Sequence, residues 1–66
     1  MKLQVNGEPY EHGGEATLAS LLRELGADGA RVAVLIGDVV VPRDERDATR
    51  LKDGDRIEIL TFAGGG

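Results

Sequence analysis

The sequence predicts an α+β domain, one sheet of four to five strands covered by a single helix. Three observations carry that expectation. Short segments with alternating or β-branched apolar residues recur along the chain, each closed by a Gly- or Pro-containing turn. One segment alone has helical spacing of its leucines. That segment lies between two strand pairs, and a further strand closes the chain.

The elements follow in order. "MKLQV" alternates, with Met1, Leu3 and Val5 on one face and Lys2 and Gln4 on the other, as in a half-buried strand. Asn6-Gly7 is a strong hairpin signal, because a type I′ turn needs positive φ at both positions. A second strand is expected over Glu8 to His12. Pro9 lacks an N–H donor and assigns that strand to a sheet edge. In "TLASLLRELG", Leu18, Leu21, Leu22 and Leu25 form one apolar stripe. Thr17 suits the N-cap and Gly26 the left-handed residue beyond the C-cap. A helix of two to three turns is unstable alone and must dock its leucines on a sheet. "RVAVLIGDVVVPR" supplies the next hairpin: Val32 to Ile36, a turn at Gly37-Asp38, Val39 to Val41, and Pro42 as the stop. "DERDATRLKDGD" is polar and turn-rich, with Leu51 as its core anchor. In "RIEILTF", Ile57 and Ile59 face inward while Arg56, Glu58 and Leu60 face out.

No repeat or linker divides the 66 residues. The expected organisation is a domain over 1–61 and a flexible tail over 62–66, ending in Gly-Gly-Gly. A chain this small buries only about 60% of its unfolded surface. With Tyr10 and Phe62 as the aromatic residues, the core must come from Leu, Val and Ile. Cysteine is absent, which excludes disulfides, thiolate nucleophiles and cysteine metal sites. "MKLQVNGEPYE" turns polar too early for a signal peptide, and no apolar run approaches the roughly 20 residues of a membrane helix. A cytoplasmic protein, monomeric when free, is expected. The net charge of −4 argues against nucleic acid and membrane as partners and favours a basic protein surface.

No catalytic constellation is visible. His12 is the one histidine, and it reads as an exposed residue of the edge strand. Asp53-Gly54-Asp55 reads as a turn, without the ligand spacing of a calcium loop. Gly13-Gly14 reads as a loop. The final "AGGG" leaves two readings open. It can be slack, since glycine has most backbone entropy to lose on ordering. It can also be a thread narrow enough to enter a closed active site, with the Gly66 carboxylate as the reactive group and Gly64 and Gly65 carrying it in.

The chain resembles, end to end, the ThiS family of small ubiquitin-like sulfur carriers in thiamine thiazole synthesis. "VNGE" in the first hairpin, "TLASLL" in the helix, "VAVLIGDVVVPR" in the central hairpin, "LKDGDRIEIL" in the last turn and strand, and the terminal "GGG" carry the resemblance. Where the family often has an aromatic residue shortly after Val-Pro-Arg, this chain has Arg46; where a Gln commonly precedes the terminal segment, it has Thr61.

The resemblance implies a β-grasp fold, with the first and last strands parallel at the sheet centre. It implies a co-substrate, not an enzyme, with no bound cofactor. A ThiF-type adenylating partner would consume Mg-ATP to adenylate Gly66. Sulfur mobilised by a cysteine desulfurase would give a thiocarboxylate, and thiazole synthase would accept that sulfur. Alternation turns Ala33, Leu35 and Leu60 away from the helix; with Phe62 they are expected to dock these partners, and Arg43 is a candidate for a partner's carboxylate. A small subunit of molybdopterin synthase (MoaD type), a carrier for another sulfur pathway, a ubiquitin-like modifier and a plain binding module remain the alternative readings.

Overall fold

The computed structural model describes residues 1–28 and 31–61. The elements are β1 (Lys2–Val5), β2 (Glu8–Glu11), α1 (Leu18–Glu24), β3 (Val32–Ile36), β4 (Val39–Val41), a 3-10 turn over Arg43–Glu45, and β5 (Arg56–Thr61). They form a five-stranded sheet in the order β2-β1-β5-β3-β4. β1 and β5 pair in parallel at its centre, and the other three pairings are antiparallel. This is the β-grasp arrangement that the family resemblance implied, and it fits the α+β pattern read from the sequence.

The turns follow from their residues. Asn6 and Gly7 both take positive φ, at 52° and 83°, which the β1–β2 hairpin requires. Strand β2 stops at Glu11, one residue short of the expected end. α1 opens on Thr17, whose hydroxyl accepts the Ser20 N–H at 3.2 Å. The two preceding N–H groups, of Leu18 and Ala19, go to the carbonyls of Thr49 and Arg46. The first turn of the helix is thereby satisfied from the polar segment that follows β4. At the other end Gly26, at φ 74°, donates to Arg23 O, and Ala27 donates to Leu22 O. That is the bond pair of a Schellman cap.

Leu18, Leu21 and Leu22 are buried against Leu3, Val32, Val34, Val41, Leu51 and Ile57. Leu25, at the C-cap, is half-buried beside them. Leu51 is thus the anchor of its loop, as expected. The outer strand β4 ends at Val41, and Pro42 follows it directly. Past it, the chain turns and the buried Arg46 donates from Nη2 to Val32 O at 2.7 Å. A guanidinium thus occupies the site where the ladder would have continued.

Candidate functional site

The face of the sheet opposite α1 follows from strand periodicity and register. On β3 the core takes Val32 and Val34, which leaves Ala33 and Leu35 on the other side. Ala33 lies opposite Leu60 of β5, and Leu35 lies between Glu58 of β5 and Val40 of β4. Leu60, Ala33, Leu35 and Val40 therefore form one apolar band across three strands. Leu60 and Val40 remain 52% and 61% exposed. The same face continues across β5 and β1 as Arg56, Glu58, Gln4 and Lys2, a polar half beside the apolar one. An apolar centre with a polar flank has the composition of a docking surface.

The structure thus brings together three of the expected docking residues, Ala33, Leu35 and Leu60. It adds Val40, which the sequence reading passed over. The alternation that separates Val39 and Val41 from Val40 was the available signal. Val39, although 66% exposed, shares the core side with Ile36, its register partner.

Strand β5 delivers the chain to one end of this band. Thr61, its last residue, lies opposite Val32. The expected tail residues Phe62, Gly64, Gly65 and Gly66 lie outside the described residues. Arg43 opens the 3-10 turn that follows β4, at the same end of the sheet where β5 finishes. It is exposed, and the side-chain ion pair among the described residues, His12–Glu24, does not involve it.

His12 corrects the sequence reading. It is 2% exposed, because β2 ends at Glu11 and the chain then turns toward the helix. Its Nδ1 meets Glu24 Oε1 at 2.9 Å and its Nε2 meets the Glu15 carbonyl at 2.6 Å. Burial pulls its pKa down, but these two hydrogen bonds and the Glu24 charge outweigh burial and raise it above the ordinary 6.5. Glu24 also accepts the Tyr10 hydroxyl at 2.6 Å; that bond first, then His12, holds its carboxyl below the usual range. Both ring nitrogens are occupied, so His12 is a structural tie with no free nitrogen for proton transfer. No cluster of metal-ligating side chains occurs among the described residues, and no helix among them is long and apolar enough to cross a membrane.

Comparison with known proteins adds to this geometry. The model of the ThiS family matches residues 3–66. The crystal structure of a thiamine biosynthesis protein (ThiS) from Geobacter metallireducens is 40% identical, covers 100% of both chains and superposes with a TM-score of 0.81. A thiazole synthase from Paramagnetospirillum magneticum is 41% identical over 66 residues, all of this chain and 20% of that protein; the chain spans about a fifth of its length. A protein named ycf40 from Pyropia yezoensis is 36% identical over 66 residues and is covered over 93% of its length.

Proposed function

The chain belongs to the ThiS family, and on that premise we propose that it is a sulfur carrier of thiamine biosynthesis whose working group is the Gly66 carboxylate. The observation that carries this reading is the apolar band ending on Leu60, six residues before Gly66. Six extended residues span about 20 Å. A partner seated on the band is therefore within reach of the carboxylate, and the glycines make the thread narrow.

In this reading the chain is a co-substrate and binds no cofactor of its own. A ThiF-type adenylating enzyme holds Mg-ATP. A Gly66 carboxylate oxygen attacks the α-phosphorus, pyrophosphate leaves, and an acyl-adenylate forms. A persulfide formed by a cysteine desulfurase attacks the acyl carbon with its outer sulfur and expels AMP, and a thiol then reduces the resulting acyl disulfide, releasing the thiocarboxylate and a mixed disulfide. Thiazole synthase then takes up the sulfur. A thiazole synthase that contains an equivalent of this chain within its own polypeptide supports that choice of acceptor. The carrier contributes position, and the enzymes contribute the acid–base groups; His12, tied on both nitrogens, is not one of them.

Intact-mass measurement tests the reading. Incubated with its cognate adenylating enzyme, ATP and a sulfur donor, the chain should gain the mass of one oxygen exchanged for sulfur. Deletion of Gly66 should abolish the gain. Heavier protein conjugates would instead identify a modifier, and an unchanged mass with an active enzyme would overturn both readings.

A further inference from the structure

The turn residue Asn6 does something a hairpin turn does not need. In a parallel pair, the N–H and C=O of one residue bond to two residues of the neighbouring strand that lie two apart. Asn6 N donates to Ile57 O at 2.9 Å, as the β1–β5 ladder requires. The next rung would run from Ile59 N to the Asn6 carbonyl. The left-handed backbone at Asn6, φ 52°, turns the chain away into the β1–β2 hairpin. The side chain takes over: Asn6 Oδ1 accepts the Ile59 N–H at 2.7 Å, across 53 residues of sequence. Among the described residues it is the hydrogen bond from the β1 side that reaches furthest along β5, just before Leu60 and Thr61.

We propose that Asn6 is a positioning residue for the reactive tail: its side-chain amide holds the end of β5 in register and so fixes the direction in which the chain leaves the sheet. The proposal rests on the carrier reading above. Strand β3 holds the other edge of β5 as far as Thr61; without the clamp the β1 edge of Ile59–Thr61 is loose, and these residues spend part of the time in orientations that a partner cannot accept. The apparent affinity then falls by the fraction of time the segment is misdirected. The bound complex is the same once formed, so binding suffers and turnover does not.

Two substitutions separate the clamp from the turn. Asn6→Gly keeps a residue suited to positive φ but removes the acceptor. Asn6→Asp keeps both, since Asp also tolerates this conformation and its carboxylate accepts an N–H. The wild type and both variants are compared where all are folded by circular dichroism. Asn6→Gly should exchange its Ile59 amide roughly three- to tenfold faster, the loss expected for one exposed hydrogen bond. Its KM as substrate of the cognate adenylating enzyme, followed by pyrophosphate release, should rise by about the same factor with kcat unchanged. Asn6→Asp should match the wild type in both measurements. A wild-type KM for Asn6→Gly overturns the proposal, as does a KM for Asn6→Asp raised as far as that of Asn6→Gly. A wild-type chain that is not adenylated at all overturns the carrier reading and this proposal with it, whereas failure of the proposal alone leaves the wild type active.

Discussion

The partners of His12, a carboxylate and a backbone carbonyl, are both acceptors, so the imidazole makes both hydrogen bonds as a donor only when it carries two protons. The sign of its pH dependence follows. Its pKa is raised by folding, so its contribution is complete below the unfolded value of 6.5 and is lost as pH rises through the higher folded value. Glu24 behaves oppositely. Its pKa is lowered, so its contribution is complete above 4.5 and is lost as pH falls through the lower folded value. The stability gap between wild type and His12→Gln should therefore be widest between pH 4.5 and 6.5 and narrow on both sides. Urea unfolding across pH checks this; a gap that does not change with pH would contradict it. None of this was legible in the sequence, because Glu24 lies on the helix and only folding brings it to His12. Gly14 was likewise read only as part of a loop. A Cβ there would lie 2.6 Å from Ser20 Oγ and 3.2 Å from His12 Cε1. Since His12 is held by both nitrogens and cannot retreat, Gly14→Ala should cost about 1–2 kcal/mol in the same measurement.

At the scale of elements, the helix was the most legible part, because its signals are local. Thr17, the leucine stripe and Gly26 each act within a few residues of themselves. Thr17→Ala removes the acceptor for the Ser20 N–H and should lower unfolding free energy by about 1 kcal/mol, read as a shift of the urea midpoint at constant slope. The segment after β4 was the least legible. Its carbonyls at Arg46 and Thr49 complete the start of the helix, and its buried Arg46 completes the edge of β3. Read along the chain, that segment is only polar and turn-rich. Its partners are in other elements, so no periodicity announces them. An arginine in a position where the family often has an aromatic residue gives the sequence reader a surface charge, while the fold uses its planar fork as a ladder rung.

For the whole molecule, the two faces of the sheet give a sharp comparison. Val39 and Val40 are adjacent and similarly exposed, at 66% and 61%, but point to opposite sides. If the band docks the activating enzyme, Val40→Glu and Leu35→Glu should weaken binding by roughly tenfold or more, as loss of a buried apolar anchor does. Val39→Glu should leave binding unchanged. Titration calorimetry distinguishes them, and equal effects at Val39 and Val40 would remove the band from the interface. The band was half legible: alternation gave Ala33, Leu35 and Leu60, but only the sheet order shows that they touch and that Val40 joins them. That sheet order has one more consequence, for how the chain comes to fold. The two strands at its centre are the first and the last, with β5 beginning at Arg56. Their pairing closes a loop of nearly the whole chain, the slow and entropically costly kind of contact. Without β5 the chain has the makings of two hairpins and a helix too short to stand alone, but no middle to the sheet. The topology therefore makes the sheet complete only when β5 is in place.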